Sequence, residues 1–335
     1  MAKFVISGAH AEDAVHQGFR HIPVIDIGGL ASSDAQDRRT VAAAIGEAAR
    51  HVGFLYVTGH GVPEALFDAL QGAAEAFFAR PLEDKLAWYI GRSVNHSGYV
   101  PEGEEVFAEG KIDKKEAYDV SLDCPAGDAD APMVGPNLWP DQPGFQGAVS
   151  AYYAAMEALA RTMFRAFALT LGLEEDHFET CLTRPPSQLR LIHYPYDPDA
   201  RDQDGIGAHT DYECFTILRG TAPGLEAMNP DGVWIDAPPV PGAFVVNIGD
   251  MLEAWTNGEF VATSHRVRRV AEERYAYPFF ATCDYWTVVE PLPRFVSPER
   301  PARFPPIVSG EHLFAQTVRT FAYLKRRTGE VTTTP

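Results

Sequence analysis

The sequence predicts a mainly β fold wrapped by helices: an antiparallel sandwich, jelly roll or barrel with helical segments before and after it. Three observations carry this. Between residues 188 and 286, short apolar runs of about 4–8 residues, the length of strands, alternate with turn punctuation. Upstream, apolar residues recur at helical spacing in several stretches. The 335 residues, 46% of them hydrophobic, also carry 28 glycines and 26 prolines, which suits a full core in a loop-rich, partly β architecture.

Taken in order, Ile22-Pro23-Val24-Ile25-Asp26 reads as a short strand. Residues 34–52 read as a helix, with Val41, Ala44, Ile45, Ala48 and Ala49 on one face. Phe54-Leu55-Tyr56-Val57 is a strand ending in the turn Gly59-His60-Gly61, where His60 is assigned to structure. Pro63 opens a second helix running to about Phe78, at a first-turn position that tolerates proline. A long polar loop over 92–110 leads to Lys115-Glu116-Ala117-Tyr118-Asp119, expected as an edge strand. The clearest helix covers about 144–171, with Tyr152, Met156, Leu159, Met163, Phe164 and Phe167 on a packing stripe. Strands are then expected at 189–194, 214–218, 224–228, 233–235, 244–248, 265–270 and 274–282. The turns between them include Asn229-Pro230-Asp231-Gly232, Val240-Pro241-Gly242 and Gly249-Asp250, with Asp250 fixing the last. A Pro-rich segment over 291–306 precedes a final helix over about 311–327. No linker separates independent units, so one domain (1–335) is expected. Residues 1–185 pack on a core at 186–290 that carries the site, and 291–335 form a C-terminal segment and helix.

Charge and cysteine usage narrow the function. With 28 Lys+Arg against 46 Asp+Glu the net charge is −18, which argues against nucleic-acid or anionic-membrane binding, because phosphate affinity rests on basic residues. The four cysteines, Cys124, Cys181, Cys214 and Cys283, form no CxxC pair, so reduced thiols in a cytoplasmic protein are expected rather than a zinc finger or a disulfide framework. His10, Glu12 and Asp13 interrupt the N-terminus before an apolar signal region forms. No run approaches the roughly 20 apolar residues of a membrane span.

The chemistry concentrates around His209-Thr210-Asp211. The same His-x-acid pattern occurs at His10-Ala11-Glu12 and His177-Phe178-Glu179, so the tripeptide alone is weak. This copy lies in the strand-rich region, after Gly205-Ile206-Gly207 and before an apolar strand. On extended backbone, residues i and i+2 point to one side, which brings an imidazole and a carboxylate together. His265, at the start of a later strand, supplies a second imidazole. Two histidines and one carboxylate leave open positions on a metal: iron would give oxygenase chemistry, and zinc would accept the same donors. Arg274 then enters the apolar strand Tyr275-Ala276-Tyr277-Pro278-Phe279-Phe280. A buried arginine requires an anionic partner. Either a neighbouring Glu272 or Glu273 provides it, or a bound carboxylate held bidentately does.

In order along the chain, His209-Thr210-Asp211, Asn247-Ile248-Gly249-Asp250, Ser264-His265-Arg266-Val267 and Arg274 to Phe280 resemble the 2-oxoglutarate/Fe(II)-dependent dioxygenases, in their isopenicillin N synthase-like branch. Ile22 to Asp26, Gly53 to Gly61, Lys115 to Asp119 and Leu191-Ile192-His193-Tyr194-Pro195 extend the resemblance over nearly the whole chain. It implies a double-stranded β-helix (jelly roll) core wrapped by N-terminal and C-terminal helices. It further implies His209, Asp211 and His265 as iron ligands, Arg274 on the distal carboxylate of 2-oxoglutarate, and Tyr194 reaching that co-substrate. The implied activity is an Fe(II)-, 2-oxoglutarate- and O₂-dependent oxidation of a small organic molecule (hydroxylation, desaturation or cyclisation) with release of succinate and CO₂.

One position departs from the family pattern. A serine usually stands two residues after this arginine, and here it is Ala276. One neutral hydrogen bond is worth about 0.5–1.5 kcal/mol, so weaker 2-oxoglutarate binding is expected unless Thr282, Tyr194 or another hydroxyl substitutes. The departure keeps open an isopenicillin N synthase-like oxidase of the same fold that ignores 2-oxoglutarate. A binding protein with a vestigial metal site and a zinc hydrolase are more distant readings. For the substrate pocket the candidates are Arg190 (on the face of Tyr194), Glu213, Phe215, Phe280, Asn95 and Tyr99, with His96 and Trp286 beside them. A monomer or weak homodimer is expected.

Overall fold

The structure, a computed structural model, describes residues 18–106, 113–196, 198, 205–268 and 272–329. The N-terminal part lays down β1 (Val24–Asp26), α1 (Ala35–His51), β2 (Phe54–Thr58), α2 (Glu64–Phe78) and α3 (Leu82–Lys85). Next come β3 (Gly98–Val100), β4 (Glu116–Ser121) and the long α4 (Phe145–Thr170). The strand-rich part contains β5 (Gln188–Tyr194), β6 (Ile206–His209), β7 (Phe215–Gly220), β8 (Leu225–Met228), β9 (Trp234–Asp236) and β10 (Phe244–Ile248). After α5 (Asp250–Trp255) it continues with β11 (His265–Val267), β12 (Arg274–Ala281), β13 (Val288–Val289) and β14 (Ile307–Val308). Helices α6 (Ser309–Thr320) and α7 (Ala322–Thr328) close the described chain. Asp34 starts α1 by accepting a hydrogen bond from the Gln36 amide at 2.7 Å, which satisfies one of the helix's free N–H groups.

Two sheets face each other as a double-stranded β-helix. The larger has eight strands in the order β1-β2-β10-β7-β12-β5-β4-β3, and the smaller has four in the order β6-β11-β8-β9. Strands from residues 1–185 join the same large sheet as strands from 186–290: β2 pairs antiparallel with β10, and β4 with β5.

Residue parity decides what each face of the large sheet does. On β5, β7 and β12, the odd-numbered Leu189, Leu191, Phe215, Ile217, Tyr275, Tyr277 and Phe279 join the core shared with α1, α2 and α4. There Phe164 and Phe167 of α4 meet the Phe215 ring at centroid distances of 4.8 and 5.2 Å. The even-numbered Gln188, Arg190, Ile192, Tyr194, Thr216, Leu218, Arg274, Ala276, Pro278 and Phe280 line a cavity between the two sheets. Successive side chains of a strand point to opposite faces, so a strand covered on both sides sends one set to the helices and the other to the cavity.

Several expectations are corrected. The strand at 115–119 is not an edge: β4 lies between β5 and β3, and β3 is the edge. The supposed polar loop over 92–110 contains β3, and its Ser93, Asn95, His96 and Ser97 are buried, because their polar groups bond one another and the chain around them; its positions 107–110 lie outside the described residues. Pro63 sits at the N-cap of α2 rather than within its first turn. Gly249-Asp250 opens α5 instead of forming a turn. The strand begun by His265 is assigned to Val267, and positions 269 and 270 lie outside the described residues. The final helix is two helices, broken at Phe321, whose backbone is extended and whose side chain turns into the cavity wall.

Candidate active site

The two strands carrying His209 and His265 place the imidazoles together. Strands β6 and β11 pair antiparallel with His265 directly opposite His209, and the ring centroids stand 4.4 Å apart. Asp211 follows β6 by two residues. Its Oδ1 lies 3.6 Å from His209 Nε2 and 3.4 Å from His265 Nε2. One potential ligand atom from each of the three residues falls within 4.8 Å of the others, the only such set among the described residues.

Each donor is oriented from behind. His209 Nδ1 is 2.8 Å from the Gly207 carbonyl and His265 Nδ1 is 3.2 Å from the Thr263 carbonyl, contacts that leave each Nε2 facing the carboxylate. Asp211 Oδ2 accepts from the Thr216 hydroxyl and from Asn247 Nδ2, the latter at 2.7 Å, so Oδ1 is the oxygen turned to the histidines. The Asp250 amide donates to the Asp211 carbonyl at 2.9 Å, and a Cβ at Gly249 would stand 2.3 Å from the Glu213 carbonyl oxygen. This close approach explains the glycine. Thr216 and Asn247 were not named as site residues from the sequence. The signal for Thr216 was its even parity on β7, opposite to that of Phe215.

The electrostatics fit a cation site. Burial would raise the Asp211 carboxyl, but the two imidazoles, His265 foremost, hold it well below the usual carboxylate range. Burial, followed by repulsion from His265, drives His209 down to about 4. Burial opposes protonation of His265 too, yet Asp211 outweighs it and raises its pKa. A carboxylate kept ionised beside two imidazoles in a buried pocket is a donor set that a divalent metal completes by taking the place of the shared proton.

Arg274 stands at another part of the same cavity wall and is 2% exposed. Its Nε donates to the Ala222 carbonyl at 3.1 Å, and its guanidinium lies 4.6 Å from the centroid of the Tyr194 ring, directly across the β12–β5 register. Gly220 and Gly224 leave room on the other side, where a Cβ would come to 3.3 Å from Nη2 or 3.6 Å from Nε. Nη1 is buried with no hydrogen-bond partner among the described residues. Glu273 does not pair with this arginine; it bonds His193 Nε2 at 2.8 Å. An orphaned guanidinium nitrogen is the feature that a bound carboxylate satisfies.

The pocket candidates divide. Glu213, Phe280, Asn95 and His96 line the cavity, as do Tyr194 and Arg190. Arg190 is not available to greet a substrate anion. Its Nε and Nη2 donate to Asp119 at 2.7 and 2.8 Å, and its Nη1 reaches both Glu105 oxygens at 3.0 Å. Phe215 faces α4, as its parity requires. Tyr99 is turned to the helix side, its hydroxyl donating to Glu116 at 2.6 Å and its ring against Phe77. Trp286 is 57% exposed and packs on Tyr285 outside the cavity. Thr282, offered as a substitute hydroxyl for Ala276, sits 3.4 Å from the Ser309 hydroxyl and does not line the cavity. Ala276 does line it. Counted together with its open mouth, the cavity holds about 1020 Å³ of space between atoms.

Comparison with known proteins agrees with this geometry. Residues 22–142 match the family model described as the non-haem dioxygenase in morphine synthesis N-terminal region, and residues 185–282 match that of the 2OG-Fe(II) oxygenase superfamily. A homoarginine-6-hydroxylase of Oryza sativa subsp. japonica is 35% identical over 325 residues, covering 90% of this chain and 98% of the relative. A 2-oxoglutarate-Fe(II) type oxidoreductase of Emericella nidulans is 32% identical, covering 85% and 86%. Among solved structures, a 2OG-Fe(II) oxygenase family protein from Caulobacter crescentus superposes with a TM-score of 0.80 at 32% identity, covering 90% of this chain and 99% of that one. A full-length Neurospora crassa protein in complex with alpha-KG gives 0.78 at 26% identity, covering 88% and 95%.

Proposed function

The chain belongs to the 2OG-Fe(II) oxygenase superfamily, and from that membership we propose which of its residues perform the reaction. The protein is an Fe(II)- and 2-oxoglutarate-dependent oxygenase acting on a small organic molecule. His209, Asp211 and His265 hold the iron, and Arg274 binds the distal carboxylate of 2-oxoglutarate. The observation that carries this assignment is the orphaned Arg274 Nη1 in the cavity that also contains the two-histidine, one-carboxylate set.

Bound together, iron and 2-oxoglutarate supply the O₂-dependent oxidation of a C–H bond, with conversion of the co-substrate to succinate and CO₂. The chain's own share is positioning and exclusion of water. Thr216 and Asn247 clamp Asp211 Oδ2, and backbone carbonyls fix the two rings, so the ligands need little reorganisation on binding. Tyr194 supports the Arg274 guanidinium from beneath, a cation–π contact that keeps the fork in place. Ile192, Leu218, Leu225 and Val267 make the neighbouring wall apolar, which strengthens a charged contact to Arg274.

Arg274 also favours this reading over an oxidase that dispenses with 2-oxoglutarate, since without that co-substrate the buried Nη1 would have no partner. By their descriptions, similar proteins act on or bind molecules as different as homoarginine, thymine and auxin, so the cavity lining rather than the fold selects the substrate. The four free cysteines support a cytoplasmic setting, and the shared large sheet supports a single domain, proposed as a monomer or weak homodimer. Among the described residues, no helix is long and apolar enough to cross a membrane.

The test is anaerobic addition of Fe(II) and 2-oxoglutarate. The assignment expects the visible charge-transfer band of the chelated keto acid. Its absence at saturating co-substrate would overturn the assignment and favour the oxidase.

A further inference from the structure

Most ionisable groups lining the cavity have an identified partner or role. Lys115 bonds Glu105 at 2.6 Å, and Arg190 bonds Glu105 and Asp119. His96 bonds the Tyr323 hydroxyl at 2.5 Å. The two-histidine, one-carboxylate set belongs to the metal, and Arg274 belongs to the co-substrate. Glu213 is left over. It is 7% exposed and lines the cavity two residues beyond Asp211; its carboxyl accepts from its own backbone amide but has no hydrogen bond or ion pair to another of the described residues.

A buried carboxyl without a partner costs stability, and Gly249 packs against the Glu213 backbone in a way that keeps this segment in place. Nearby Arg190 favours its charge from a distance but gives it no hydrogen bond, because all three of its donor nitrogens are taken by Asp119 and Glu105. Among the described residues no other side chain bonds this carboxyl, so the group placed to do so is a molecule in the cavity. We infer that Glu213 is the specificity-determining residue for the prime substrate and that it receives a cationic nitrogen group, a guanidinium or an ammonium, next to the metal centre. This rests on the oxygenase assignment above, since the substrate must lie beside the ligand set to be oxidised. A carboxylate holds such a group by short charge-assisted hydrogen bonds, bidentate for a guanidinium. The contact would direct oxidation to a carbon close to the charged nitrogen.

The experiment uses the full chain loaded with Mn(II), which binds without turnover, and 2-oxoglutarate. Calorimetric titrations compare L-arginine with its uncharged isostere L-citrulline, and L-lysine with L-norleucine. At least one cation is expected to bind about tenfold or more tightly than its neutral counterpart, with the preference lost in Glu213→Gln. In the same variant, 2-oxoglutarate affinity is expected to stay within about twofold, and the melting temperature of the metal-free protein to stay the same or rise, because an unpartnered carboxyl has been removed. The inference is overturned if neither cation outcompetes its neutral counterpart, if Glu213→Gln keeps the preference, or if the variant is destabilised as a structural residue would be. Loss of 2-oxoglutarate binding by the wild-type protein would instead overturn the oxygenase assignment itself.

Discussion

Arg190 and Arg274 occupy neighbouring strands of one sheet, face one cavity and are both buried, 6% and 2% exposed, yet they are opposites. Arg190 has two carboxylates built around it. Arg274 has one backbone carbonyl, one aromatic ring and a nitrogen with no partner among the described residues. The chain can neutralise a buried guanidinium when it supplies the acids, as at Arg190. Where it leaves one incomplete, as at Arg274, the partner we propose is the carboxylate of the co-substrate. The internally satisfied arginine is part of the architecture, and the orphaned one is the proposed co-substrate anchor.

Three substitutions break or sharpen that contrast, in decreasing size of effect. Asp119→Ala strips Arg190 of its bidentate partner and leaves charge buried. The cost expected is about 3–5 kcal/mol of folding stability, read from denaturant unfolding. A cost below about 1 kcal/mol would show that Arg190 is not held as a structural ion pair. Arg274→Ala should do the reverse, with little change in the melting temperature of the ligand-free protein. Its 2-oxoglutarate affinity is expected to fall by about 2–5 kcal/mol, roughly thirtyfold to several thousandfold, while Fe(II) binding is spared. Equal 2-oxoglutarate affinity in the two proteins would remove Arg274 from the anchor role. Ala276→Ser restores a hydroxyl on the same face of β12. Titration with 2-oxoglutarate should then show roughly two- to tenfold tighter binding, the worth of one neutral hydrogen bond. Looser binding would mean that the space beside Arg274 is already filled.

Much of this was legible in the sequence because it depends on local rules. Helix periodicity placed α1 and α4, and strand length with turn punctuation placed most of the strands. The order of His209, Asp211, His265 and Arg274 named residues that the fold brings to one cavity, where they are proposed as the two ends of the site. Parity along β5, β7 and β12 was present too, and applying it to Phe215 would have turned that ring away from the cavity and brought Thr216 in. Other features had no local signature. The loop around Asn95 is polar in composition yet buried, because its hydrogen bonds close within the folded structure. Tyr99 takes the helix side because α2 and Glu116 come to meet it. The break at Phe321 puts that ring in the cavity wall, a placement with no local signature.

By itself, the sequence determined the residue types, their spacing and hence the kind of chemistry: two imidazoles and a carboxylate for a metal, and an arginine for a carboxylate. Only the tertiary structure decided which charges are already paired. Arg190 meets Asp119 and Glu105 across 71 and 85 residues of chain, whereas Arg274 leaves adjacent Glu273 to His193. Side-chain direction is set by neighbours two to four residues away, but a buried charge is satisfied by whatever the fold brings within about 3 Å.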